Sequence, residues 1–352
     1  MPITDLTAHL RTYLEQAFGR PIDLAPLADK GLAHWHVRLI GTGLLARIPK
    51  QSQMNLGAVD NLAYEAACFE RTAGCGHVPR LARVMEPSPG LPWGALLVEE
   101  INGYPAIEPA HIAPIMQALA AIHTLPVPAP EHRPPLLNEQ NPMLGLLALI
   151  RAQAVYLDHP ALSEPSRRVI TTRLEALART IPHLSDKLEP RLISFDAHPG
   201  NFLITAAGKA VLVDLEKLRY SYPPLDLAHA TLYTSTTWDV DASFELSMPE
   251  VAQAHEVWRV AAGPMAEPYL AALVPLRELM WLWSVTWCAK WLTESGKTKT
   301  AGAQGEDWSQ TNSDHALINH VRARVNDYLS IGCINRVQQE CHELARLYPQ
   351  AR

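Results

Sequence analysis

The chain has 352 residues, of which 48% are hydrophobic and 19% are charged. This composition is typical of a globular protein and excludes a largely disordered one. The formal net charge is −6 and the sequence has no basic stripe, so we expect no nucleic-acid partner. The five cysteines form no CxxC pair, which argues against a zinc site and favours reduced thiols in the cytoplasm. Neither a signal-peptide pattern nor a run of about 18 apolar residues occurs, so we expect no membrane segment.

The first hundred residues predict a helix, an antiparallel sheet and one inserted helix. Apolar residues recur with helical period over residues 6–18, and residues 61–72 show the same pattern. Short apolar runs bounded by turn residues predict the strands. The predicted strands cover residues 22–26, 35–40, 43–48, 78–85 and 94–99.

The remaining residues are mostly helical in pattern, with one strand-rich island at 191–215. The predicted helices cover residues 111–123, 144–157, 165–178, 249–261, 266–293 and 314 to the end, with one more near Leu225. The proline-rich segment 126–142 is expected to be extended, because proline lacks the amide hydrogen that a helix needs. The polar segment 293–312 is long enough to be a mobile lid, or it is an ordinary loop. A chain of this length is expected to form two lobes.

The island at 191–215 carries the residues with the clearest chemistry. Two apolar runs flank a turn centred on residues 207–208, which predicts a hairpin that places Asn201 directly opposite Asp214. An amide oxygen and a carboxylate at that distance suit one hard cation, and Mg²⁺ prefers such oxygen ligands. Asp196 precedes Asn201 across a tight bend and is placed to orient and deprotonate an acceptor hydroxyl. This is the arrangement that phosphoryl transfer needs.

The complete island reads D-x-H-x-x-N, then V-D-x-E, then P-P-x-D-L-A. It resembles the aminoglycoside phosphotransferase and choline kinase group, whose pattern is H-G-D-x-H-x-x-N, then I-D-x-E, then G-x-P-x-x-D-L-A. The resemblance covers residues 15–260 and is strongest at 192–230. It implies an α+β, two-lobed protein-kinase-like fold. The small antiparallel-sheet lobe is expected at 1–101 and the larger, mainly helical lobe at 102–352.

The resemblance also implies roles for single residues of the island. Asp196 matches the catalytic base. Asn201 and Asp214 match the Mg²⁺ ligands, and Glu216 is expected to help with a second ion. Asp226 is expected to brace the catalytic loop.

The group further implies a nucleotide site in the first lobe. Gly31 matches the turn over the phosphates. Arg47 matches the basic residue that pairs with the phosphates, with Lys50 as the alternative. Its ion-pair partner is expected to be Glu65, with Glu70 as the second choice.

The segment 96–103 resembles the hinge between the lobes. An adenine edge is expected to meet backbone groups of Glu100 and Ile101 there, so the side-chain identity matters little. The group also has a helix that ends at the position of His123, for which we predict a structural role.

The acceptor site is predicted from aromatic and acidic residues in the second lobe. Tryptophans at 283, 287 and 291 share one helical face, which favours either a packing stripe or an aromatic wall. Two carboxylates beside Trp238 are suited to an amine-bearing substrate. The candidate substrate contacts are Trp238, Asp239, Asp241, Trp283 and Trp287.

These features predict a small-molecule kinase that uses Mg²⁺ and either ATP or GTP. The acceptor is a hydroxyl of a small molecule, such as an aminoglycoside, an amino alcohol or a related antibiotic natural product. A protein acceptor is a second hypothesis. It is disfavoured, because the sequence has no activation-loop segment after Asp214. A nucleotide-binding pseudokinase is a third, because Ser194 and Phe195 stand where the group has His-Gly. His198 and His229 lack zinc spacing and are expected to be loop and core residues; the oligomeric state stays open.

Overall fold

The computed structural model describes residues 3–28, 33–295 and 315–348. Its first part is a five-stranded antiparallel sheet in the order β1-β2-β3-β5-β4, preceded by helix α1. Helix α2 lies between β3 and β4 in the chain. The elements are α1 (Ile3–Phe18), β1 (Leu24–Pro26), β2 (His34–Leu39), β3 (Leu44–Pro49), α2 (Ala58–Thr72), β4 (Leu81–Met85) and β5 (Ala95–Glu99).

The two faces of this sheet are covered differently, and strand β3 shows why. Side chains alternate between faces along a strand. Ala46 and Ile48 therefore belong to the apolar cluster that packs on Leu10 and Leu14 of α1. Arg47 points to the opposite face, where its guanidinium lies 5.9 Å from the ring of Phe69 on α2. Because of this alternation, the buried guanidinium of Arg47 points away from the apolar cluster and towards the second part of the chain.

The described residues of the second part are mainly helical and form five short strands. Three of these strands form one sheet and two form a separate pair, next to the helices. The helices are α3 (Ile112–His123), α4 (Pro142–Ala154), α5 (Glu164–Ser185), α6 (Pro223–Thr231), α7 (Tyr233–Thr236), α8 (Met248–Ala262), α9 (Leu273–Glu294), α10 (His315–Tyr328) and α11 (Ile331–Leu347). The strands are β6 (Gly103–Pro105), β7 (Arg191–Ile193), β8 (Phe202–Thr205), β9 (Ala210–Leu212) and β10 (Arg219–Ser221). Within the described ranges, no helix is long and apolar enough to cross a membrane.

The largest apolar cluster joins the two parts. It includes Leu62 of α2 and Leu96 of β5 together with most of the buried residues of α3, α6, α8 and α9. The chain leaves the five-stranded sheet after β5 and pairs at Gly103 with Thr205 of β8. This change of sheet supports the lobe boundary that we propose near residue 101.

Three predicted helices differ from the structure, and one of them, expected at 165–178, continues to Ser185. The helix expected at 266–293 begins at Leu273, because the preceding prolines hold residues 263–272 in a 3₁₀ conformation. The helix expected from 314 to the end is two helices. Ser330 starts the second one, since its side chain accepts the N–H of Cys333.

Candidate active site

Asp226 lies buried behind the loop that joins β7 to β8 and holds its backbone in place. Its carboxylate accepts the N–H groups of Ser194 and Phe195, both at 2.7 Å. Nε2 of His123 donates to the same carboxylate at 3.0 Å, because Nδ1 of that ring accepts the indole N–H of Trp258. The structural roles predicted for Asp226 and His123 are thus visible as hydrogen bonds.

Phe195 has an unusual backbone conformation directly before Asp196. Its φ of 62° lies in the left-handed region, which favours glycine and strains other residues. The buried ring packs against the edge of Trp283, with 5.2 Å between the centroids, and under the guanidinium of Arg219 at 3.7 Å. These contacts, with the Asp226 hydrogen bond, hold a phenylalanine where the related group has glycine. The departure from His-Gly therefore leaves the loop in a defined conformation.

Asp196 is surrounded by positive and polar groups at the bottom of a cavity. Nζ of Lys217 lies 2.8 Å from its Oδ2 atom, and Nδ1 of His229 lies 3.6 Å from its Oδ1 atom. Burial alone would raise the pKa of Asp196, but Lys217, His198 and His229 outweigh burial and hold it well below its usual range. Burial lowers the pKa of His229 to about 4, although Asp196 opposes that shift. At neutral pH the site thus holds an ionised aspartate beside one ammonium group and an uncharged imidazole.

The hairpin β8–β9 differs by one residue from the predicted register, so that prediction was wrong. Its loop has three residues, 206–208, and Gly208 takes a φ of 74° that a loop of this length requires. The backbone of Asn201 consequently meets Val213 and not Asp214. Asp214 lies beyond the end of β9, yet Asn201 and Asp214 line the same cavity. The tertiary arrangement brings together two residues that the strand register alone does not.

Two of the residues predicted to bind metal, Asp214 and Glu216, lie close together beside His34. One ligand atom from each of Asp214, Glu216 and His34 lies within 4.8 Å of the others. Asn201 donates through Nδ2 to the carbonyl of Asp196 at 2.8 Å, which leaves its Oδ1 atom as an acceptor. Burial and the neighbouring Asp214 raise the pKa of Glu216 well above its usual range. Carboxylates crowded in this way fit a divalent cation, and oxygen donors suit Mg²⁺.

The predicted ion pair between Arg47 and Glu65 is not the one that forms. Nη2 of Arg47 lies 2.7 Å from Oδ1 of Asp214. Glu65 instead lies 2.9 Å from Nε2 of His34 and accepts the Asn61 amide at 2.7 Å. The imidazole of His34 causes this, because its Nδ1 atom is 3.5 Å from Arg47 and the ring fills the space between the two charges. Burial alone would raise the pKa of Glu65, but His34 and Arg47 outweigh burial and lower it.

The alternatives predicted for this pair have different surroundings. Lys50 is buried and lies over the ring of Trp35, with Nζ 5.6 Å from the centroid. Glu70 is exposed, whereas Glu65 is buried. Of the two cations, Arg47 is the one that contacts Asp214, and of the two glutamates, Glu65 is the buried one. Sequence reasoning placed His34 at the end of the turn expected to cover the phosphates but assigned it no role of its own.

The remaining nucleotide contacts are placed differently. Gly31 lies outside the described residues. The N–H of Glu100 donates to the carbonyl of Gly43 at 2.9 Å, and its carboxylate pairs with Arg38. Glu100 therefore retains only its carbonyl for a nucleotide. Glu100 and Ile101 do not belong to the described lining of the Asp196 cavity.

The predicted substrate residues divide into two sets. The side chains of Trp238, Trp283, Trp287 and Asp239 line the cavity that contains Asp196. Trp291, on the same face of α9, is buried in the core. Trp283 and Trp287 therefore form part of the cavity wall, whereas Trp291 packs in the core. Asp241 is exposed and is not among the described residues that line this cavity.

Solved structures with the same architecture share the arrangement of a small sheet and a helical part. A choline/ethanolamine kinase family protein from Mesorhizobium loti superimposes with a TM-score of 0.58 at 18% identity, covering 96% of this chain and 99% of its own. A choline kinase from Cryptosporidium parvum gives 0.56 at 11% identity, with coverage of 93% and 90%. The ADP-bound aminoglycoside phosphotransferase APH(2'')-Ib gives 0.54 at 13% identity, with coverage of 92% and 98%. The likeness confirms the predicted kinase-like fold.

The family follows from the sequence. A model described as the phosphotransferase enzyme family matches residues 29–263, more than half of the chain. The chain belongs to this family, and the prediction of a phosphotransferase is confirmed. No curated protein sequence matches the chain significantly.

Proposed function

We propose that the protein transfers the γ-phosphate of ATP or GTP to a hydroxyl of a small molecule. The observation that carries the proposal is one cavity lined by Asp196, Asn201, Asp214 and Glu216. It places an ionised aspartate beside a group of oxygen donors, which is what phosphoryl transfer from a metal-bound nucleotide requires.

Each residue of the site has its own proposed role in this reaction. Asp196 accepts a hydrogen bond from the acceptor hydroxyl and aims its oxygen at the γ-phosphorus. The new O–P bond forms while the bond to the β-bridging oxygen breaks, and the hydroxyl proton passes through Asp196 to solvent. Lys217 holds one oxygen of Asp196 and places positive charge near the transferred group. Mg²⁺ held by Asn201, Asp214 and Glu216 would neutralise charge on the nucleotide phosphates.

Arg47 is proposed to contact the phosphates. In the structure its guanidinium is already beside Asp214, so one side chain connects the sheet with the metal-binding residue. We further propose that Gly31 covers the phosphates and that the carbonyl of Glu100 and the backbone of Ile101 meet the base. The five cysteines are free thiols, which supports a reducing compartment such as the cytoplasm.

Two observations favour this function over its alternatives. The loop conformation fixed by Asp226 argues against a pseudokinase, since Asp196 keeps its place without the His-Gly pair. Residues 215–222 lead from Asp214 directly into α6 through the short strand β10, which supports a small acceptor and not a protein.

The test compares wild type with Asp196→Ala. We expect both proteins to bind nucleotide in the presence of Mg²⁺. We expect Asp196→Ala to lose about 100- to 10,000-fold in turnover, because it lacks the group that orients the hydroxyl. Nucleotide binding is measured by calorimetry, and phosphorylation is measured by mass against a panel of hydroxyl compounds. A wild-type protein that binds no nucleotide, or an unchanged rate in Asp196→Ala, contradicts the proposal.

A further inference from the structure

The cavity that holds Asp196 has a second wall on the side away from the metal-binding carboxylates. This wall comes from α9, α10 and the residues after α7. Its apolar lining residues are Trp238, Val240, Trp283, Trp287, Cys288, Leu317, Val321 and Tyr328. Three polar residues of the same elements, Asp239, Ser284 and His320, also line it, so the wall is mostly apolar.

The aromatic rings of this wall are held in place by each other. Trp238 meets Trp287 edge to face, with 5.6 Å between the centroids, and lies 6.3 Å from Tyr328. The hydroxyl of Tyr328 is bonded to Thr237 at 2.9 Å, so its polar end is used within the protein. Trp283 is fixed in the same way against Phe195, the residue before the catalytic aspartate. The wall therefore presents preformed apolar surface next to Asp196.

The wall offers little charge to a cationic substrate. Apart from the groups assigned to catalysis and metal, Asp239 is the one carboxylate among the described lining residues. Its Oδ1 atom already accepts the N–H groups of Asp241 and Ala242, at 2.8 and 3.0 Å. Its side chain also covers Gly200, where an added Cβ would lie 2.6 Å from the Asp239 Cγ atom. Asp239 thus has a structural role, because it connects the wall with the loop that contains Gly200.

The other polar groups near the wall are uncharged or in use. Nε2 of His320 is bonded to the carbonyl of Trp238 at 2.6 Å. His229 lies between Asp196 and Trp283, and the centroids of the His229 and Trp283 rings are 5.9 Å apart. A substrate with several ammonium groups would lose its hydration against apolar side chains and find few carboxylates among the lining residues that the structure describes.

We propose that the natural acceptor is an uncharged alcohol carried on an apolar, ring-bearing scaffold. The ring system lies on Trp238, Trp283 and Trp287, and the reactive hydroxyl reaches Asp196. This inference rests on the proposed phosphotransfer, because Asp196 marks the reacting end. It narrows the acceptors expected from the sequence and excludes polycations such as aminoglycosides.

The first experiment compares acceptors that differ in charge. Cyclohexanemethanol and 2-(1-naphthyl)ethanol serve as neutral ring alcohols, choline as a monocation and gentamicin as a polycation. Binding is measured by calorimetry with nucleotide and Mg²⁺ present, and phosphorylation is read by mass. We expect 2-(1-naphthyl)ethanol to bind at least about 10-fold more tightly than choline or gentamicin, since its rings bury the larger apolar area. Tighter binding of choline or gentamicin overturns the proposal, and so does the absence of binding by both neutral alcohols.

The second experiment uses the wall itself. Trp287→Ala should weaken binding of 2-(1-naphthyl)ethanol by about 10-fold or more, and Trp287→Phe should restore most of it. Trp291→Phe, one turn further along α9 and outside the cavity, is the matched control and should bind like wild type. Each variant is first checked by circular dichroism and thermal unfolding, which report that it is folded. Equal binding by Trp287→Ala and wild type contradicts the proposal.

The two proposals fail separately. Slow Mg²⁺-dependent nucleotide hydrolysis, with water as acceptor, tests phosphotransfer without any alcohol. If hydrolysis is absent but the neutral alcohol binds and Trp287→Ala loses it, the proposed reaction fails while the ligand class stands. If hydrolysis is present but gentamicin or choline is the tighter ligand, the ligand class fails alone.

Discussion

Nζ of Lys217 lies 2.8 Å from Oδ2 of Asp196, although the two residues are 21 positions apart in the chain. Asp196 is in the loop before the β8–β9 hairpin, and Lys217 follows that hairpin. The hairpin thus brings a cation to Asp196, the proposed catalytic base. Both side chains are mostly buried, with exposed fractions of 16% for Lys217 and 15% for Asp196. One carboxylate oxygen is held by this contact, which leaves Oδ1 for the acceptor hydroxyl.

Replacement of Lys217 by alanine should slow turnover and shift its pH dependence. Burial raises the pKa of Asp196 and Lys217 is the largest influence that lowers it, so Lys217→Ala should raise that pKa. Asp196 acts in its ionised form, so the acidic limb of the kcat/KM profile should move to higher pH. We expect kcat to fall about 100-fold. A pH–rate profile of wild type, Lys217→Ala and Lys217→Arg measures both effects.

Lys217→Arg is the control because it keeps the positive charge. It should retain an acidic limb near that of wild type. An acidic limb that stays in place in Lys217→Ala would show that Lys217 does not control the ionisation of Asp196.

Replacement of Arg47 by alanine should destabilise the protein, and Mg²⁺ should compensate for part of the loss. The change leaves the carboxylate of Asp214 without its buried partner, which costs about 3 kcal/mol or more. A divalent cation bound at Asp214 restores positive charge there. Urea unfolding with and without Mg²⁺ measures both effects.

Arg38→Ala is the matched control, because Arg38 lies on the adjacent strand and pairs with Glu100 at the surface. It should change the free energy of unfolding by less than about 1 kcal/mol and show no added response to Mg²⁺. Equal losses in Arg38→Ala and Arg47→Ala would contradict a special role for the Arg47–Asp214 pair.

The backbone of Phe195 predicts an unusual order of stability for two variants. Phe195→Ala and Phe195→Gly both remove the ring, so they differ only in backbone preference. Alanine is strained at a φ of 62°, and glycine is not. We therefore expect Phe195→Gly to be more stable than Phe195→Ala by about 1 kcal/mol. Thermal unfolding of the pair is the measurement, and a more stable alanine variant would mean that the strain is absent in solution.

Buried His255 predicts a loss of stability in acid. Burial, and then Arg277, lowers its pKa from 6.5 to about 3 in the folded protein. Between these two values the unfolded chain binds a proton that the folded chain does not. The free energy of unfolding should therefore decrease as pH falls from about 6.5 towards 3, by at most about 1.4 kcal/mol per pH unit from this group.

His255→Gln should show a flatter decline over the same pH range, measured by urea unfolding at each pH. His132→Gln removes an exposed histidine and should decline like wild type. Parallel curves for wild type and His255→Gln would show that His255 takes up its proton without unfolding.

The sequence predicted most elements of the fold because their patterns are local. The period-2 alternation around Arg47 and the helical spacing of α2 and α3 reflect contacts between near neighbours. Strands β6, β7 and β10 were not predicted individually as pairing strands, because each has three residues and is defined by a distant partner. The register of the β8–β9 hairpin was missed by one residue, since it depended on whether the loop had two or three residues.

The candidate site divides in the same way. Asp196, Asn201, Asp214 and Glu216 were found from the sequence, because phosphoryl transfer needs these residue types close together in one short segment. His34 and Lys217 were missed, since no spacing links them to their partners. His34 reaches the site from a strand far from Glu216 in the chain, and it displaces Glu65 from Arg47.

By itself the sequence determined the family and the two-part architecture, and it predicted a set of candidate oxygen ligands. Only the tertiary structure decided which charges pair, namely Arg47 with Asp214 and Lys217 with Asp196. It also decided which tryptophans of α9 line the cavity. Side-chain pairing depends on distances of a few ångströms between remote segments. Such distances are set by how the lobes pack, which a local sequence pattern does not encode.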